Sequence, residues 1–200
     1  MKKYIYREVY FKQIEPYIDN SIIKVLIGQR RVGKSYILYQ LMEEIRKQNE
    51  NIEIIYIDKE DFAFDSIKNY ADLIQYVESQ GTEKEKRALF IDEIQEIESF
   101  EKALRHFQHT GKYDIYCTGS NATLLSGELA TLIAGRYIQI RVYSLSFIEF
   151  LQFHKLEANN DSLQKYILYG GMPHLINLKE DSRVYYDYLK IRAKRLAQKK

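Results

Sequence analysis

The segment Gly28-Gln29-Arg30-Arg31-Val32-Gly33-Lys34-Ser35 constrains this chain more than any other, because of what stands on either side of it. Before it runs Ile22-Ile23-Lys24-Val25-Leu26-Ile27, short, apolar and β-branched, which reads as a buried strand. After it Ile37, Leu38, Leu41, Met42 and Ile45 recur at helical spacing. Strand, glycine-containing loop and helix N-terminus in that order can bind an anion with backbone alone. Gly28 and Gly33 permit backbone angles that other residues resist, so successive N–H groups can turn inward at the positive end of the helix. Lys34 adds a mobile positive charge and Ser35 a hydroxyl suited to a hard divalent cation. The spacing is G-x-x-x-x-G-K-[ST], that of a phosphate-binding loop. The residues expected to contact the bound group run from Gly28 through Gln29, Arg30, Arg31, Val32, Gly33, Lys34 and Ser35 to Tyr36.

The same alternation continues to Val142 and sets the fold class. Ile52 to Ile57 reads as a second strand, with Ile67, Tyr70, Ala71, Ile74 and Val77 marking one face of the next helix. Ala88-Leu89-Phe90-Ile91 is a third strand, followed by a helix with Phe100, Ala103, Leu104 and Phe107 as its apolar stripe and Gly111 at its end. Tyr113 to Cys117 and Tyr137 to Val142 read as strands four and five, with a short helix over Thr123 to Ile133 between them. The pattern predicts an α/β fold with a five-stranded parallel sheet, preceded by a helical segment over 1–20. Beyond Val142 the pattern is helical only: Ser146-Phe147-Ile148-Glu149 has capping-box spacing, and Leu163 to Tyr169 stops at Gly170-Gly171 with Pro173 behind. The expected division is a core over 1–143 and a helical extension over 144–200.

Asp92 and Glu93 end the third strand, at the carboxyl edge where open α/β sheets bind ligands. With a phosphate loop upstream, Asp92 fits the Walker B role, holding Mg²⁺ together with Ser35, and Glu93 fits the base that orients and deprotonates an attacking water. That second acid points to nucleotide hydrolysis. No Asn-Lys-x-Asp guanine-reading motif occurs, which favours ATP over GTP. Ser120 or Asn121, after the fourth strand, either senses the γ-phosphate or caps the next helix. Arg136, at the opening of the fifth strand, either supplies charge to the reaction or forms a surface salt bridge. Tyr6, Tyr10 or Phe11 is a candidate to pack on adenine.

Thirty basic against 28 acidic side chains leave a net charge of +2, too little for the strong positive field of a dedicated nucleic-acid binder. The basic tail Lys190, Arg192, Lys194, Arg195, Lys199 and Lys200 reads as a solvated helix or linker, or as a contact to nucleic acid. A single cysteine, Cys117, fits a reducing, cytoplasmic setting, and no apolar run reaches the ~20 residues of a membrane span. His106, His109, His154 and His174 complete no recognisable metal ligand set.

Six blocks in order resemble a prokaryotic family of AAA+ superfamily ATPases. They are the loop Gly28 to Ser35, Leu89-Phe90-Ile91-Asp92-Glu93-Ile94-Gln95, Thr118 to Ser126, Ala134-Gly135-Arg136-Tyr137, Tyr143 to Leu151, and Gly170-Gly171-Met172-Pro173. The resemblance spans about Glu8 to Pro173. It implies a sheet order of 5-1-4-3-2, a sensor in the Ser120-Asn121 block, a functional arginine at Arg136, and a further C-terminal domain. By that resemblance the chain is a truncation or a fragment. Two functions stay open: a motor or switch ATPase acting in a homo-oligomer, with Arg136 or another basic residue supplied by a neighbour, or a nucleotide-gated module that contacts protein or DNA. A P-loop phosphotransferase is the weaker third, since no acceptor pocket is legible.

Overall fold

In the computed structural model, which describes residues 5–80, 87–120, 135–177, 183–187 and 189–190, five strands form one parallel sheet. They are β1 (Ile23–Gly28), β2 (Glu53–Asp58), β3 (Arg87–Asp92), β4 (Tyr113–Gly119) and β5 (Tyr137–Val142). Their order is β2-β3-β4-β1-β5, which is the expected 5-1-4-3-2 counted from the other edge. Burial follows that order. β1, β3 and β4 are interior strands, covered on both faces, and every residue in them is buried. β2 and β5 are edges and mix buried with half-buried or exposed positions.

Helices cover both faces. The odd-numbered side chains of β1, Ile23, Val25 and Ile27, join Leu89, Ile91 and Ile115 in a core closed by α3 (Tyr70–Ser79) and α4 (Phe100–Thr110). α1 (Glu8–Ile14) and α2 (Lys34–Gln48) pack against each other and onto the sheet. In α2 the buried apolar residues are those of the predicted stripe: Ile37, Leu38, Leu41, Met42 and Ile45. α4 buries the predicted Phe100, Ala103, Leu104 and Phe107, and Gly111 ends it in the left-handed conformation, φ 66°.

α3 differs from expectation. Its buried residues are Leu73 and Val77, with Ile67 buried ahead of the helix, whereas Tyr70 and Ala71 are exposed. Asn69 caps α3 and exchanges hydrogen bonds with Asp72, so the helix begins only at Tyr70; Ile67 lies before the cap and does not share the helical period. The predicted helix over Thr123 to Ile133 and the tail beyond Lys190 lie outside the described residues.

Two compact units divide the chain: one runs to Val142 apart from Arg31–Gly33, and the other holds Tyr143 onward with those three residues. The second unit contains α5 (Phe147–His154) and α6 (Asn160–Tyr169). The capping box is present: Ser146 Oγ accepts from the Glu149 N–H, and the Glu149 carboxylate accepts from the Ser146 N–H at 2.8 Å. Gly171 meets Leu145 at close range: the Leu145 N–H donates to the Gly171 carbonyl at 2.6 Å, and a Cβ on Gly171 would collide with the Leu145 carbonyl oxygen. Gly171→Ala is therefore expected to destabilise this unit by about 1–3 kcal/mol, the usual cost of overpacking, read as a lower denaturation midpoint.

Candidate functional site

β1 delivers the loop and α2 receives it. Positive φ at Arg31 (67°) and Gly33 (98°) alternates with negative φ at Val32 and Lys34, the backbone pattern in which successive N–H groups converge on one concave surface. Gly28 departs from the sequence reading. It is the extended last residue of β1, in register with Val142, so the left-handed positions belong to Arg31 and Gly33. Gln29, Arg30, Arg31 and Tyr36 are exposed, and Val32 is buried. Arg30 lies 3.5 Å from Glu96, and the Tyr36 ring meets Tyr39 edge-on at 5.8 Å.

Lys34 opens α2 and is 4% exposed. Its Nζ donates to the Gly28 and Gln29 carbonyls at 3.3 Å and lies 3.3 Å from Glu93 Oε1. The Ser35 hydroxyl donates to Asp92. The two acids are buried, at 2% and 6% exposure, where an isolated strand end would leave them in water. Burial pushes the Asp92 carboxyl above the ordinary carboxylate range, opposed by its hydrogen bonds from Ser35 and Thr118. Glu93 has left-handed backbone, φ 53°, a strained conformation for a non-glycine residue of the sort that collects at functional sites.

Three partners escaped the sequence reading. Thr118 Oγ1 donates to Asp92 Oδ1 and accepts from the Glu93 N–H at 3.0 Å, so one hydroxyl orients both acids. The signal was the register: Ile91 pairs with Cys117, which sets Thr118 beside Asp92 at the strand ends. Asp58 pairs with Asp92 across β2 and β3 and brings a third carboxylate to the same edge. Gln95, two residues beyond Glu93, donates to its carboxylate.

Ser120 is half-buried, and its backbone N–H rather than its hydroxyl engages this edge, donating to Gln95 Oε1 at 3.3 Å. Asn121 lies outside the described residues. Arg136 is not brought to the loop. Its carbonyl accepts from the Ile23 N–H at the start of β1, whereas the loop leaves the end of β1; five strand steps separate the two edges, roughly 17 Å at 3.3 Å per residue. Arg136 thus cannot serve this chain's own loop. It is exposed, without an ion pair among the described residues, and lines an open cleft of about 490 Å³ with Lys102, Arg105, His106 and His109.

Among the described residues no group of three or more His, Cys, Asp or Glu could hold a metal ion unaided. His106 instead bonds to Glu78 at 2.9 Å. The residues at the loop do fit Mg²⁺ arriving with phosphates: the Ser35 hydroxyl is hydrogen-bonded to the Asp92 carboxylate, and Asp58 ends the neighbouring strand beside Asp92. No helix among the described residues is long and apolar enough to cross a membrane.

Comparisons with known proteins bear on the family and the fold. An uncharacterized protein of Haemophilus influenzae is 38% identical over 185 residues, 90% of this chain and 46% of that protein. One of Methanocaldococcus jannaschii is 31% identical over 192 residues, 90% of this chain and 42% of that protein. The chain thus spans less than half the length of these curated relatives. Among solved structures, the Aeropyrum pernix ORC1 protein in complex with DNA aligns with TM-score 0.60 at 9% identity, over 100% of this chain and 62% of that one. AMPPCP-bound DnaA from Aquifex aeolicus aligns with TM-score 0.54 at 16% identity, over 94% and 66%. At such identities the likeness is one of fold. The family model described as AAA domain matches residues 20–151, well over half the chain, and the protein accordingly belongs to this family of AAA+ ATPases.

Proposed function

We propose that the chain binds ATP with Mg²⁺ and hydrolyses it to ADP and phosphate, coupling nucleotide state to a conformational change. The observation that carries the reading is the meeting of Lys34, Ser35, Asp92 and Glu93 at one edge of the sheet. In the reaction Glu93 takes a proton from a water as its oxygen bonds to the γ-phosphorus and the bond to the β–γ bridging oxygen breaks, releasing ADP. Lys34 holds the β- and γ-phosphates, Ser35 and Asp92 would hold Mg²⁺, and Thr118 keeps Asp92 turned toward Ser35. When bound there, Mg²⁺ neutralises charge on the phosphate oxygens. The ATPase core is residues 1–143, with 144–200 as its extension. A cytoplasmic setting fits the lone, buried Cys117.

Because Arg136 sits at the edge away from its own loop, its role in this reading is in trans, at the loop of a second copy stacked head to tail. Arg136→Ala is expected to slow turnover about 10³-fold or more, the usual worth of such an arginine, with little change in ATP binding. Mixing it with Lys34→Ala, which keeps Arg136 but lacks a binding loop, should restore part of the turnover; a fully active Arg136→Ala sinks the assignment.

The test of the whole reading is Mg²⁺-dependent ATP hydrolysis over a wide protein concentration range, with Glu93→Gln as the blank. Turnover per subunit that rises with concentration supports an assembled ATPase with shared sites. A second reading, a nucleotide-gated module contacting protein or DNA, has one observation in its favour: both Glu93 carboxylate oxygens are engaged, by Lys34 and Gln95. ATP binding without turnover at any concentration selects it.

A further inference from the structure

Gln95 joins two parts of the site that the backbone leaves apart. Its Nε2 donates to Glu93 Oε2 at 2.6 Å, and its Oε1 accepts from the Ser120 N–H at 3.3 Å. Only one orientation of the amide serves both: reversed, it would set a carbonyl against a carboxylate and an NH₂ against an N–H. We propose that Gln95 is a positioning residue for hydrolysis, holding the Glu93 carboxylate by one oxygen and tying it to the carboxyl end of β4. The inference rests on the hydrolytic reading of Glu93 above.

The local backbone explains why a residue two positions on can do this. Left-handed Glu93 ends β3 abruptly and starts a 3-10 turn over Ile94–Glu96, closed by Glu96 N–H to the Glu93 carbonyl at 3.0 Å and Ile97 N–H to the Ile94 carbonyl at 3.1 Å. Ile94 is fully buried in the core and pins the turn, so Gln95 is presented half-buried beside Glu93. The two carboxylate oxygens then have different fates. Oε1 faces Lys34 Nζ, and phosphates arriving at the loop compete for that ammonium. Oε2 faces Gln95, which no phosphate draws away. With nucleotide bound, Oε1 is released to accept the proton of water while Oε2 stays anchored, and the anchor fixes the direction in which Oε1 points. Since Gln95 also holds the Ser120 N–H, movement at the end of β4 reaches the Glu93 carboxylate through this side chain, as it reaches the Glu93 backbone through Thr118.

The experiment compares wild type, Gln95→Ala and Gln95→Glu for ATP affinity and for kcat in Mg²⁺. Gln95→Ala should lose kcat roughly 10- to 100-fold, the scale of a misplaced catalytic group, with ATP Kd held within about threefold. Gln95→Glu is the same size and keeps an acceptor for Ser120, but replaces the donor by a like charge against Glu93; its kcat should fall below that of Gln95→Ala. Retained ATP affinity reports that each variant is folded. A Gln95→Ala enzyme with unchanged kcat, a Gln95→Glu enzyme as fast as wild type, or losses confined to Kd would each overturn the inference while wild-type turnover leaves the hydrolytic reading standing. A wild-type chain that binds ATP and never turns it over removes both.

Discussion

Lys34→Ala is expected to abolish ATP binding at millimolar nucleotide, and Glu93→Gln to keep binding while losing turnover by about 10²- to 10⁴-fold, the contribution of a general base. The first loss is large because Lys34 is almost fully buried and lies 3.3 Å from Glu93, at the edge where Asp58 and Asp92 end their strands. Two unit charges about 4 Å apart interact by roughly 4 kcal/mol at an effective dielectric of about 20, near a thousandfold in Kd. Removing the ammonium subtracts that attraction and leaves the acids repelling a polyanion. Glu93→Gln acts oppositely on binding: it removes one negative charge and leaves Lys34 free for phosphate. Calorimetric titration of ATP into both variants separates the two roles, and an equal loss of binding in each would remove the role given to Glu93.

Asp114→Ala is expected to destabilise the fold by about 3–5 kcal/mol, the cost of stripping one partner from a buried ion pair. Lys24 is fully buried mid-sheet in β1, and its Nζ donates to Asp114 Oδ1 and to the Ile22 carbonyl at 2.9 Å, 4.5 Å above the Tyr116 ring. The other Asp114 oxygen accepts from the Tyr116 hydroxyl at 2.6 Å and from the Asp19 N–H at 2.8 Å. Alanine would take the acceptor from all three donors, leaving Lys24 Nζ only the Ile22 carbonyl. Lys24→Met should cost less, since it removes the buried charge and leaves Asp114 two of its donors.

The pH dependence of Asp114→Ala is a second readout. Burial lowers the Lys24 pKa, and Asp114 works against that shift, so the variant's native value lies lower still. Between that value and the ordinary lysine range the unfolded chain binds the extra proton, so stability rises with pH across that window. Part of the loss in Asp114→Ala should therefore return as pH climbs toward the lysine range. A loss under about 1 kcal/mol in urea titration would show that water already serves Lys24.

Strand and helix identities were legible because burial imposes a period. The α2 and α4 stripes need only the 3.6-residue repeat, and the interior strands need only unbroken apolar runs, which a sheet covered on both faces requires. The phosphate loop and the Asp92-Glu93 pair were legible for a related reason: each is a local chemical device, complete within a few consecutive residues. The strand order was not read from the pattern itself; it came with the resemblance.

What no local pattern contains is who faces whom across strands. Lys24 lies in a run read as plainly apolar, and only the pairing of β1 with β4 supplies its carboxylate. Thr118 and Gln95 reach Glu93 through register and through a left-handed turn at a residue that is not glycine. Arg136 carries a charge fit for phosphate, yet strand direction sets it at the opposite edge from its own loop. The amino-acid sequence determined the elements and the loop motif between β1 and α2, because those depend on neighbours along the chain. The tertiary structure alone decided which polar groups share one edge of the sheet, because that depends on distances across it.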